Sequence, residues 1–97
     1  MRHFFRTQLA PAEVLKAADS FFPTLPLERT AHTPRTRTFS GLLGTLQLSA
    51  KKEGGHYTFV EVHTDQMGES RLDRNAKRFF VELHRTSDPT HRLEAAY

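Results

Sequence analysis

Residues 45–64 contain the feature that most limits how this chain can fold: two runs in which apolar and polar residues alternate. The apolar members of the two runs are Leu46, Leu48, Val60 and Val62. Alternation with a period of two is typical of strands that bury one face and expose the other. Gly54 and Gly55 lie between the runs and accept a positive φ without steric cost, so they predict a hairpin. The chain therefore needs a second layer to cover one face of a sheet.

The rest of the sequence supplies that layer. Read in order, the predicted elements are a strand at 3–8, a helix at 9–23, a loop at 23–34, strands at 35–40, 45–52 and 56–65, and a helix at 71–85. This order, β-α-β-β-β-α, predicts a two-layer α+β domain in which an antiparallel sheet of three to four strands packs against two helices. We expect one domain over residues 1–88, followed by a C-terminal tail at 89–97.

The last helix has the clearest pattern. Its apolar residues, spaced to form one stripe, are Leu72, Ala76, Phe79, Phe80 and Leu83. Ser70 and the acidic Asp73 three positions later match a capping box, which predicts that the helix begins after Ser70. The stripe is expected to face the apolar side of the sheet.

Composition excludes several classes of protein. The chain has 97 residues and no cysteine, which excludes disulfide frameworks, zinc ribbons and cysteine nucleophiles. No apolar run approaches the roughly 18 residues of a membrane span, and the first ten residues lack the apolar centre of a signal peptide. We therefore expect a cytoplasmic protein without membrane association. The net charge of +3 favours an acidic partner only modestly.

Glu61, His63 and Asp65 place three potential metal ligands or acid–base groups at alternate positions. If Val60 and Val62 face the core, all three point outward on a polar sheet face. Alternate residues on a strand are about 6.5–7 Å apart, so Glu61 and Asp65 are separated by roughly 13 Å and cannot easily converge on one ion. We predict a solvated sheet face and no metal site.

No catalytic residue is predicted elsewhere. Ser40 and Ser70 lack the flanking residues of a nucleophile elbow. The segment between Gly41 and Gly44 is followed by a strand and has no phosphate-loop lysine. With no pair of catalytic groups to assemble, the protein is not expected to be an enzyme, and no cofactor is predicted.

Basic residues on the last helix carry an alternative hypothesis. They are Arg71, Arg74, Lys77, Arg78 and Arg85. The four arginines recur along one side of the helix, while Glu82 partly neutralises them. A solvated helix face is the simpler interpretation, and charge-driven binding of nucleic acid is the functional one.

The segment "HFFRTQLAPAEVLKAADSFFPTL" resembles the opening of the START-like, or polyketide-cyclase-like, helix-grip superfamily. Such chains begin with a strand, continue with Ala-Pro and Glu-Val into the first helix, and end with a long amphipathic helix. The matching residues here are Ala10-Pro11, Glu13-Val14 and the helix at 71–85. The family has six or seven strands and about 140 residues, so this chain resembles a truncated member.

The resemblance implies a site for an apolar ligand between the sheet and the last helix. The residues that would line it are Leu46, Leu48, Val60, Val62, Phe79 and Leu83. The same residues could instead form a filled core. The sequence thus predicts a small non-catalytic binding domain that contacts an apolar ligand or a protein partner. The protein partner could be a second copy of the chain, bound as a homodimer through the exposed sheet face.

Overall fold

The computed structural model describes residues 1–87, which form five strands and two helices. In chain order these are β1 (Arg2–Thr7), α1 (Pro11–Phe21), β2 (Leu27–His32), β3 (Thr36–Gly41), β4 (Gly44–Glu53), β5 (Tyr57–Thr64) and α2 (Arg71–Ser87). A single 3₁₀ turn, Phe22–Thr24, extends α1. The predicted tail at 89–97 lies outside the described residues.

All five strands belong to one antiparallel sheet with the order β1-β5-β4-β3-β2. The first strand returns to pair with the last, with Arg2 opposite His63 and Thr7 opposite Thr58. Both helices pack on the same face of this sheet, the one that holds the buried side chains. The predicted α+β class and its two layers are confirmed, with five strands in place of three to four.

The additional strand is β2, and it shows that the predicted loop at 23–34 is wrong in part. Residues Leu27–His32 form β2, an edge strand that pairs with β3. Of its six residues only Leu27 is buried, so the segment lacks the alternation by which a strand is recognised in sequence. Its backbone is extended because β3 offers hydrogen-bond partners. Gly41, which lies opposite Leu27 at the end of β3, approaches the Pro26 carbonyl so closely that a side chain at position 41 would clash.

Other elements follow their patterns closely. Gly54 and Gly55 have φ values of 65° and 81°, as predicted for the hairpin between β4 and β5. Helix α2 begins after Ser70, whose Oγ accepts a hydrogen bond from the Asp73 amide at 3.0 Å, so the predicted cap is confirmed. No helix within residues 1–87 combines the length and the apolar character needed to cross a membrane.

The space between sheet and helices is filled by one apolar core. Phe22 lies at its centre, with ring-centroid distances of 5.1 Å to Phe39 and 5.0 Å to Phe79. The six side chains predicted to line a ligand space all have 0% exposure and belong to this core. Burial of this apolar surface is the main term that stabilises the fold.

Candidate functional site: the uncovered sheet face

The second face of the sheet has no layer over it in the part of the chain that the structure describes. It carries the side chains of the odd-numbered residues of β5 and β4 and of the residues paired with them on the neighbouring strands. Val60 and Val62 are fully buried and point to the helices, so Glu61 and His63 between them point outward, as predicted. This surface is the uncovered sheet face, and it brings β1, β5 and β4 side by side.

An aromatic and basic cluster lies in the middle of the uncovered sheet face. Arg6, Phe59 and Lys51 are direct cross-strand neighbours on β1, β5 and β4. The Arg6 guanidinium lies 5.0 Å and the Lys51 ammonium 5.9 Å from the centre of the Phe59 ring. Phe4 stacks on Phe59 with a centroid distance of 5.5 Å and remains 54% exposed. Large exposed aromatic rings backed by cations are typical of contact surfaces.

The alternation around Val60 and Val62 also places Phe59 on this face, but the sequence does not reveal which side chains lie beside it. Phe4 and Arg6 do alternate with inward-facing residues of β1, which was visible in the sequence. What could not be read was the pairing of β1 with β5, because these strands are about fifty residues apart and are joined by no hairpin. That pairing places Phe4 and Arg6 beside Phe59.

Glu61, His63 and Asp65 do not converge. Glu61 faces Arg2, with 3.8 Å between Oε2 and the guanidinium, and Asp65 Oδ1 accepts a hydrogen bond from the Thr45 amide at 2.9 Å. The hydrogen bond from the Thr45 amide is the main cause that holds the pKa of Asp65 below its ordinary value, and a hydrogen bond from the Gln66 side chain adds to it. Within residues 1–87 no three histidine or acidic side chains are grouped to hold a metal ion. A shallow groove of about 270 Å³ beside His63 is lined by polar and charged side chains.

The predicted basic stripe lies on the opposite side of the domain. All five of its basic side chains on α2 are exposed. Lys77 lies 3.7 Å from Glu69, and Arg85 lies 3.2 Å from Glu82. Asp73 precedes Lys77 by four positions, the spacing of a helical ion pair, but does not pair with it, because Asp73 is buried on the side facing the sheet. The nucleic-acid hypothesis for this helix stays a prediction.

The ligand hypothesis also stays a prediction. A groove of about 300 Å³ runs between α1 and α2, and of the six residues predicted to line a ligand space only Phe79 borders it. The remaining walls come from residues such as Ala17, Phe21 and Glu82. The other five predicted residues lie deeper, in the core.

A buried carboxylate is the most polar feature beneath the surface. Asp73 is fully buried and accepts hydrogen bonds from Ser70 Oγ at 2.6 Å, His3 Nε2 at 2.7 Å and Thr64 Oγ1 at 2.8 Å. Burial raises the pKa of Asp73, but the hydrogen bonds from Ser70, His3 and Thr64 outweigh it and leave the pKa lowered. Ser70 and His3 both contact the carboxylate and do not form a nucleophile–base pair with each other. The network is therefore suited to holding β1, β5 and α2 together.

A comparison with known proteins finds no family model that matches the chain and no curated protein that matches it. Neither the fold nor the comparison tests the resemblance to the helix-grip superfamily, which stays a prediction.

Proposed function

We propose that this protein is a non-catalytic binding domain that docks a second copy of itself through the uncovered sheet face. The observation that carries the proposal is the stack of Phe4 on Phe59, which presents an aromatic ring that is 54% exposed on a sheet face with mostly polar side chains. Aromatic side chains at the centre of a contact surface supply much of the binding free energy of protein interfaces.

The size of the face supports this role. Strands lie about 4.8 Å apart and rise about 3.3 Å per residue, so five strands of roughly seven residues cover about 24 by 23 Å. Side-chain relief adds to this projected area of about 550 Å². The face thus approaches the ~800 Å² that each partner buries in an interface of standard size.

Charge supports a second copy as the occupant. The face contains both signs in adjacent pairs: Arg2 lies 3.8 Å from Glu61, and Arg6 Nε lies 2.7 Å from Glu53 Oε1. A two-fold axis sets the same patch against itself, so a surface that carries arginines and glutamates together is complementary to its own copy. These exposed pairs contribute little within one chain and can exchange partners across an interface at small cost.

One edge of the sheet, strand β2, offers less support for docking. The outer edge strand β2 has an irregularity in its register between Arg29 and Ala31, and prolines lie just outside both of its ends, at Pro26 and Pro34. Irregular, proline-flanked edges disfavour pairing with another strand. The face is therefore the better candidate than the edge.

A small apolar ligand, which the helix-grip resemblance implies, has weaker support, because the side chains that would line its site fill the core. Nucleic-acid binding through α2 has five exposed cations in its favour, but Glu69 and Glu82 neutralise two of them. A cytoplasmic location, expected from composition, is part of the proposal.

Sedimentation equilibrium tests the dimer. The wild type is expected to dimerise at micromolar concentration, and Phe4→Asp is expected to weaken the dimer roughly tenfold or more because it sets two carboxylates in the contact. Val81→Asp is the matched control: Val81 is 49% exposed on α2, away from the face, and its substitution should leave the dissociation constant unchanged.

A wild type that remains monomeric up to about 1 mM overturns the second copy as the partner. A Phe4→Asp dimer as tight as that of the wild type overturns the assignment to this face.

A further inference from the structure

A second surface feature lies between the start of α1, the loop before β3 and the end of β4. There the chain forms a groove of about 570 Å³. Its charged lining residues are Arg35, Arg37, Lys51 and Lys52, and no acidic residue among residues 1–87 lines it. Sites of this volume are suited to small molecules.

Two of these four cations, Arg35 and Lys52, have no acidic partner in the described part of the chain. Arg37 does have one, since its Nε lies 3.1 Å from Asp19 Oδ1, and its guanidinium also donates to the carbonyls of Thr33 and Thr36. Lys51 lines the groove, but its ammonium lies over the Phe59 ring on the uncovered sheet face. Arg35 and Lys52, which make no ion pair within residues 1–87, therefore supply the unpaired charge of the groove. Like charges held near one another repel, so a bound anion would lower the electrostatic free energy of this region.

The unpaired charge is confined to a short stretch. On one side Asp19 pairs with Arg37 and with Arg29, and on the other side Glu53 pairs with Arg6. Acidic residues therefore bound the positive groove on both sides. A polymer such as nucleic acid needs a positive tract that continues beyond a single groove, whereas a small polyanion does not.

Apolar side chains form the remaining walls. Leu15 of α1 and Pro34 of the loop border the groove beside the cations. A ligand with a carbon skeleton would contact these walls while its anionic group reaches Arg35 and Lys52. Arginine binds phosphate oxygens through paired hydrogen bonds, and lysine adds a point charge.

From the unpaired cations and the apolar walls we propose that the groove binds a small organic phosphate that carries at least two negative charges. The site is separate from the uncovered sheet face, with which it shares only Lys51, so the two proposals can fail independently. Binding is expected to weaken as salt rises, because the cations are exposed to solvent.

Calorimetric titration with pyrophosphate, and with inorganic phosphate for comparison, tests the site. We expect one pyrophosphate per chain, bound more tightly than phosphate. The double variant Arg35→Gln/Lys52→Gln should weaken binding roughly tenfold or more, and the charge-preserving Arg35→Lys/Lys52→Arg should retain most of it. The matched control, Arg71→Gln/Arg78→Gln, removes two exposed charges from α2 and should bind as the wild type does.

Three outcomes would overturn the proposal. The first is no pyrophosphate binding below about 10 mM at low salt. The second is an equal loss in the groove variant and in the α2 control, which would indicate a response to net charge alone. The third is binding of single-stranded oligonucleotide or of anionic lipid vesicles through Arg35 and Lys52 without binding of pyrophosphate, which would assign the groove to a larger partner. Retained amide chemical-shift dispersion in each variant verifies that the loss is not one of folding.

Discussion

The Nε2 atom of His3 lies 2.7 Å from Oδ1 of Asp73, although seventy positions separate these residues in the chain. His3 is on β1 and Asp73 is in the first turn of α2, so this contact joins the first and the last element of the described chain. An ionised carboxylate has no hydrogen to donate, which places the proton of the pair on Nε2. Thr64 and Ser70 donate to the same carboxylate and complete its shell.

Replacing Asp73 with alanine should destabilise the fold by about 3 kcal/mol. The substitution leaves the buried Thr64 hydroxyl and the part-buried His3 and Ser70 donors without their acceptor, and unsatisfied buried donors are costly. Glu69→Ala is the control, because Glu69 is an exposed carboxylate near the same helix start and should change stability by less than about 0.5 kcal/mol. Urea denaturation of the three proteins measures the difference, and equal stabilities would contradict the role given to the network.

Acid should weaken the protein through the same carboxylate. The pKa of Asp73 is lower in the folded state than the ordinary value of about 3.9. Its ionisation therefore adds stability that is fully present above that value and is lost as pH falls through the lowered pKa of the folded state. Unfolding free energies measured from pH 6 to about pH 2.5 should show a steeper acid decline for the wild type than for Asp73→Asn. Parallel curves would show that other groups control acid unfolding.

Phe79→Ala should lower stability by roughly 3–5 kcal/mol, the usual range for deleting a buried aromatic ring. Phe79 is fully buried and packs against Phe22 and Phe21 at centroid distances of 5.0 Å and 5.5 Å. Val81→Ala is the control: Val81 lies two positions further along the same helix but is half-exposed, so its substitution should change stability little. A ligand pocket in the same place would give a much smaller cost for Phe79→Ala, together with a rise in the melting temperature of the wild type on addition of fatty acids.

Charge reversal at Arg74 and Arg78 should leave stability nearly unchanged, because exposed charges contribute little. Both side chains are exposed on α2, and Arg74 Nε donates to the Glu69 carbonyl at 3.2 Å. The variant also separates the functional hypotheses. If the wild type binds DNA or RNA in about 0.15 M salt and the reversed variant does not, the basic helix is the functional surface and the proposed sheet-face function is wrong.

Local periodicity was enough to determine which side chains of a single strand or helix face the core and which face solvent. The alternation around Val60 and Val62 placed Glu61 and His63 on the polar side of the sheet, and the structure agrees. The spacing of Phe79 and Leu83 placed them on the buried stripe of α2, and Ser70 marked where that helix begins. These are signals within a few residues, set by the geometry of a single strand or helix turn.

Tertiary structure decided what depends on distant partners. Leu27–His32 is a strand because β3 pairs with it, and Phe4 stacks on Phe59 because β1 returns to pair with β5. Asp73 could be recognised as a capping residue from its neighbour Ser70, but its contact with His3 forms only when the first strand lies under the last helix. Such contacts leave no periodic trace, because the free energy that selects them comes from pairing and burial between segments far apart in the chain.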